Sequence, residues 1–255
     1  MSTSVLIFIA VALGLAFGSF GSVLLHRLPK NGTLFGRSMC PDCKQVLRWH
    51  DLLPVISFVV LGGQCKYCKK KISLRYPLLE IVTAVCFSLI VIQSAPAGLA
   101  GLLLLTIAVY SLILIAFYDA ETQSIPDLFV AVLFLSTLIY ISLPGSAHTI
   151  RDVFIGAAIP FIFFGALWIA GRKRWVGSGD ILLGTCIGLL LGIKLTLLSL
   201  FLAYTIGALV ACILIALKRT GPGSSIAFGP FLVSGALIAL FFGDKILTQY
   251  QLLFF

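Results

Sequence analysis

Apolar residues run along this chain in long blocks, and polar residues gather between the blocks. A helix needs about 20 apolar residues to cross a hydrocarbon core. By that ruler the blocks at 4–25, 78–96, 98–118, 128–144, 152–171, 181–193, 195–217 and 227–243 predict about eight transmembrane helices, the sixth of them short. Backbone polar groups in lipid must be satisfied internally, which excludes an open sheet there. The expected fold class is therefore an all-α integral membrane protein. The first block has no Lys or Arg before Arg27 and runs on as a full-length helix, so it is expected to remain as an anchor rather than be cleaved. Only one gap, 26–77, is long enough to be a small domain, and it is rich in Lys, Pro, Gly and Cys. The expected division is helix 1 over 1–25, an insertion over 26–77 and a polytopic domain over 78–255.

Composition agrees with this pattern. Mean hydropathy is +1.13 and 11% of residues are charged, against about 25% in soluble domains. The charges that remain are unevenly placed. Loops after the first, third, fifth and seventh blocks hold 15 of the 18 Lys and Arg, ten of them from Arg27 to Arg75. The opposite side holds only Arg151, Lys194 and Lys245. The positive-inside rule then puts the four basic loops in the cytoplasm and both termini outside. A net charge of +9 is thus mostly a topology signal beside lipid. The bilayer is the expected partner and nucleic acid is not.

Within the insertion, Cys40-Pro41-Asp42-Cys43 and Cys65-Lys66-Tyr67-Cys68 form two CxxC pairs separated by 21 residues. That is close to zinc-ribbon spacing, in which each pair supplies half of a tetrahedral site. Four thiolates would close the coordination sphere, so the expected metal, Zn²⁺ or another thiophilic ion, is structural. Lys66, Lys69, Lys70 and Lys71 favour the thiolate form. Two disulfides are the alternative, but a cytoplasmic loop keeps its thiols reduced. Cys86, Cys186 and Cys212 stand singly in apolar blocks and read as core residues.

Three aspartates mark block boundaries. Asp119 closes the third block; Ile125-Pro126-Asp127 reads as a turn and helix start; Asp180 follows Gly177-Ser178-Gly179 and opens the sixth block. Carboxylates kept at a membrane boundary are functional candidates. Two of them brought together can share a proton, one activating water and the other polarising a carbonyl. Taken singly, Asp127 and Asp180 also suit helix N-caps, and Asp119 a solvated helix end.

In this combination the residues resemble the type IV prepilin peptidases. The likeness runs from Gly18-Ser19-Phe20 through Arg27-Leu28-Pro29, the two CxxC pairs, Trp49-His50-Asp51-Leu52-Leu53-Pro54 and Arg75-Tyr76-Pro77-Leu78-Leu79-Glu80. It resumes at Asp119 to Asp127 and Gly177 to Asp180. The resemblance implies a GxGD-type aspartyl protease in a bacterial cytoplasmic (inner) membrane, with Asp119 and Asp180 catalytic and Asp127, Gly177 and Gly179 supporting. It implies prepilin or pseudopilin substrates, cut after a glycine that ends a basic leader. It also implies N-methylation of the new amino terminus with S-adenosylmethionine, which links the cysteine region to methyl transfer. No Rossmann-type glycine fingerprint is present, so that cofactor is expected at an unconventional site, with Arg37, Asp51, Arg75 and Glu80 as candidates. The family often has Leu-Asn where this chain has Gly21-Ser22, and a lysine where it has Leu182. Other readings of the same residues are a peptidase without methyl transfer, a non-catalytic assembly factor with a metal-binding module, and a proton-coupled transporter. A transporter would place its carboxylates at the midplane.

Overall fold

The structure is a computed structural model and describes residues 3–28, 36–93, 98–144, 149–172, 174–218 and 226–254. Pro29, Lys30, Lys173, Arg219 and the end of the block 78–96 lie outside the described residues. Among the described residues eight α-helices follow in order: α1 Thr3–Arg27, α2 Ile56–Val60, α3 Arg75–Ile92, α4 Gly98–Thr122, α5 Asp127–Ser142, α6 Ile150–Ala170, α7 Ser178–Ala216 and α8 Gly229–Phe254. A 3-10 turn covers Trp49–Leu52. Among the described residues the β pairing is limited to two isolated bridges. Six helices among the described residues are long and apolar enough to cross a membrane: α1, α3, α4, α6, α7 and α8. With 16 residues, α5 is shorter.

The eight predicted blocks and these elements differ at α7, where one element of 39 residues replaces the sixth and seventh blocks. Its backbone breaks at Gly192, with φ 69° and ψ −178°, a conformation essentially restricted to glycine. Tyr204 comes back within electrostatic range of Asp180, although an unbroken helix would hold residues 24 apart about 36 Å from each other. The element is therefore a helical hairpin, and two antiparallel arms lie where two blocks were expected. The Asp152 carboxylate on α6 accepts the Ile193 N–H at 3.2 Å, satisfying a donor freed by the break. Helix ends moved as well. α3 begins at Arg75 rather than at 78, and α8 runs on to Phe254 rather than stopping at 243. Hydropathy tracks lipid contact, whereas helical hydrogen bonding continues past it.

The chain forms two compact units, Met1–Ser94 and Ala95–Phe255. In the first, α1 and α3 pack antiparallel through small residues: a Cβ at Gly18 would lie 2.5 Å from Glu80 Cα, and one at Gly14 would collide with Ala84 Cα. Close backbone approach of this kind is the usual glue between helices in lipid. In the second, α7 packs against α5, α6 and α8, and α4 packs against α5 and α8. Hydroxyls of Thr83, Ser111 and Thr185 donate to the carbonyl four residues back and so are satisfied within their own helices, whereas the buried hydroxyls of Thr137, Thr196 and Ser199 make no hydrogen bond. Large apolar side chains such as Phe8, Leu99, Ile162 and Phe201 stand well over half exposed, as a lipid-facing surface requires.

Candidate active site and metal centre

In the second unit, Asp119 lies in the last turn of α4 and Asp180 in the first turn of α7. Asp119 is 4% exposed, so it is not a solvated helix end. Its Oδ2 accepts the Gly229 N–H at 2.9 Å. Asp180 accepts the Gly177 N–H at 3.2 Å, three residues back, which is the acidic half of a capping box. Asp180 is therefore not the N-cap that its position suggested: Gly177 is, and Asp180 reaches back to it from the third helical position with one oxygen, leaving the second carboxylate oxygen available. The two carboxylates lie within electrostatic range of each other, and both line one cavity of about 340 Å³.

The local sequence explains this arrangement. Gly179 leaves room for Ile125, whose Cβ would lie 2.9 Å from a Cβ at 179. The Ile-Pro segment before α5 thereby meets the Gly-Ser-Gly start of α7. Asp127 opens α5, as expected, but it is exposed and is not among the residues lining the cavity. Gly177 and Gly179 are.

A third contributor, not among the residues expected from the sequence, comes from the start of α8. Residues Ile226, Ala227 and Phe228 line the cavity, and Gly229 starts α8 against Asp119. A Cβ at 229 would lie 2.6 Å from Asp119 Oδ2. The available signal was Phe228-Gly229-Pro230 at the head of an apolar block: a Gly-Pro helix start. Arg174 and Trp175 also line the cavity.

In the first unit the four cysteines converge. Their sulfurs all lie within 4.8 Å of one another, with Cys40 Sγ and Cys68 Sγ 3.9 Å apart. Zn–S bonds of about 2.3 Å imply tetrahedron edges of about 3.8 Å, so the cluster fits one metal ion. None of the four is in a disulfide. The two knuckles repeat each other 25 residues apart. Cys40 N–H donates to Gln45 O and Lys44 N–H to Cys40 O; Cys65 N–H donates to Lys70 O and Lys69 N–H to Cys65 O. Lys44 and Lys69 take the same positive φ, 56° and 60°. The Cys68 N–H, with that of Tyr67, outweighs burial and draws the Cys65 thiol down to about 7. At Cys68 the Lys70 N–H is outweighed by burial and the three neighbouring sulfurs, which push that thiol up to about 11. Cys65 is thus the first of the two to become a thiolate.

Beside the cluster is a cavity of about 910 Å³ lined by Ser19, Ser22, His26, Arg37, Asp51 and Glu80 among others. Three of the four candidate cofactor residues therefore meet there. Arg75, at the start of α3, is not among the lining residues. Asp51 is already engaged: it accepts the Arg48 N–H at 3.1 Å and the Tyr67 hydroxyl at 3.2 Å. Burial pushes its pKa up, but these bonds with His50 and Lys66 nearby hold it below the usual value. Glu80, 8% exposed, accepts the Val55 N–H at 2.7 Å. Val55 has φ 59° and ψ −45°, a strained conformation for a β-branched residue costing of order 1–3 kcal/mol. The Glu80 bond helps to hold it.

Comparison with known proteins decides the family. Residues 12–94 match the Bacterial Peptidase A24 N-terminal domain and residues 104–212 match the Type IV leader peptidase family. The chain belongs to the type IV leader peptidase family. It is 32% identical to a prepilin leader peptidase/N-methyltransferase of Bacillus subtilis, over 93% of this chain and 94% of that one. It is 29% identical to a protein of the same name from Pseudomonas aeruginosa, over 94% and 91%. It is also 32% identical to a type 4 prepilin-like proteins leader peptide-processing enzyme of Escherichia coli, over 89% and 91%. No solved structure matches.

Proposed function

We propose that this family member is a bifunctional prepilin peptidase and N-methyltransferase of a bacterial inner membrane, with Asp119 and Asp180 as its proteolytic pair. The observation that carries this is the convergence of two carboxylates from α4 and α7 on one cavity, each held by a glycine N–H. One carboxylate takes a proton from water as the water oxygen attacks the scissile carbonyl, and the other donates a proton to the carbonyl oxygen. Collapse of the adduct breaks the C–N bond, and the amine leaves with a proton. Asp127 supports the site from outside the cavity by starting α5 where Ile125 packs on Gly179.

The distribution of Lys and Arg supports a cytoplasmic position for the cysteine insertion and the aspartates, with both termini outside. In this reading, 26–77 belongs to the methyl-transfer region, which α3 and its Glu80 complete, and the peptidase domain, expected over 78–255, is the second unit, from α4 onward. Zn²⁺ would be held by Cys40, Cys43, Cys65 and Cys68 as a closed structural site. The cavity beside it is of the size that takes a small cofactor. S-adenosylmethionine, when bound, supplies the methyl group. Arg37 would meet its carboxylate, and Asp51 and Glu80 its cationic groups, while Arg75 would act from just beyond the lining. The substrates are prepilins or pseudopilins reached from the bilayer.

The test is incubation of a prepilin with the protein in membranes, followed by the mass of the mature amino terminus. Cleavage after the leader glycine, with one added methyl group, is expected. Cleavage without the methyl group would leave a peptidase alone, a reading favoured by Gly21-Ser22 in place of the family's common Leu-Asn. No cleavage would return the assembly factor to the front.

A further inference from the structure

The insertion carries an apolar surface that neither the protease nor the metal site uses. Residues 52–64 contain no charged side chain, although the flanking segments hold most of the chain's Lys and Arg. An uncharged run of this length is too short to span and suits an interfacial segment. At its centre is α2, whose two faces differ. Ser57, Phe58 and Leu61 line the 910 Å³ cavity. Ile56, Val59 and Val60 occupy the opposite side at helical spacing and are 59%, 69% and 77% exposed. Trp49 and Leu74, nearby in the insertion, are 77% and 72% exposed.

The depth of this face is set by a bond to a membrane helix. The Val55 N–H, immediately before α2, donates to Glu80 at 2.7 Å. Glu80 lies in the second turn of α3, a helix of 18 residues. At 1.5 Å per residue α3 is about 27 Å long, no more than the hydrocarbon thickness, so its first turns cannot stand clear of the membrane surface. α2 is thus tied at the level where headgroups meet acyl chains. Trp49 is the residue type that favours such a boundary.

We infer that the segment 52–64 is a membrane-interfacial element, with Ile56, Val59 and Val60 seated in lipid while the other face of α2 forms a wall of the cavity. The partner is the bilayer itself, and the cavity accordingly opens at the membrane surface. A protein partner on the same face is the rival outcome.

The test is the lipid exposure of a single tryptophan. Trp49, Trp168 and Trp175 are replaced by phenylalanine, Val60→Trp is introduced in the full chain, and Val59→Trp serves as a second variant. The proteins are reconstituted in phosphatidylethanolamine and phosphatidylglycerol vesicles with or without brominated acyl chains. Strong quenching by brominated lipid, with protection from aqueous iodide, is expected at either position. Quenching by iodide but not by brominated lipid would overturn the inference. So would protection from both, which would mean that protein covers the face.

Discussion

Gly229→Ala tests the least expected member of the aspartate site. The added Cβ would lie 2.6 Å from Asp119 Oδ2, about 0.8 Å inside the 3.4 Å at which ordinary van der Waals contact begins. Asp119 is buried on α4 and Gly229 opens α8, so the short carboxylate is what must move. Displacing a reacting group by about 1 Å costs on the order of 10²-fold in rate. The N–H to Oδ2 bond would lengthen at the same time, weakening one fixed donor to the carboxylate. The expected outcome is a fall of about 10- to 100-fold in kcat for prepilin cleavage, with KM little changed, because the substitution touches the reacting groups and not the substrate-binding surface. Methylation of an already cleaved pilin reports on the other unit and should stay normal, separating this effect from misfolding. Wild-type cleavage by Gly229→Ala would refute the placement of Gly229 against a working Asp119.

Cys65→Ser removes one of four sulfurs from the metal cluster. It should abolish stoichiometric zinc, measured by chelator release from purified protein, and should reduce methyl transfer far more than cleavage. Gly192→Ala puts a Cβ at φ 69° and should destabilise the α7 hairpin by of order 1–3 kcal/mol, seen as a lower midpoint in thermal unfolding in detergent. Asp51→Asn should weaken the insertion near pH 7, where the native carboxylate is ionised and bonded. Because its folded-state pKa is depressed, that stabilisation is present above the ordinary 3.8 and is lost as pH falls through the lower folded value. The gap in protease resistance between wild type and Asp51→Asn should accordingly close below about pH 4.

What was legible in the chain was whatever lipid or metal dictates locally. Apolar blocks announced the helices because hydrocarbon tolerates few alternatives, and two CxxC pairs announced the cluster because each knuckle is built within eight residues, 39–46 and 64–71. Asp119 and Asp180 stood out because carboxylates are costly at a membrane boundary. Gly229 did not, since its contact with Asp119 joins positions 110 apart and the only local mark is a Gly-Pro pair. Asp127 shows the opposite case: its motif starts a helix as expected, yet its carboxylate is not in the cavity lining. α2 was hidden because a helix of five residues has too few turns to show a period. Its attachment to Glu80 is again a long-range bond.

The central claim is that Asp119 and Asp180 work as a single catalytic unit. The most direct measurement is prepilin cleavage in membranes by wild type, Asp119→Asn, Asp180→Asn and the double variant, with methylation of a pre-cleaved pilin as the control for folding. An amide preserves shape and can still accept a backbone N–H, but it cannot exchange a proton with water or substrate. Each single change should lower the cleavage rate by about 10²- to 10⁴-fold or more, and the double variant should be no worse than the singles, because groups acting as a unit are not additive. Appreciable cleavage by either single variant, or losses that multiply in the double, would contradict the account.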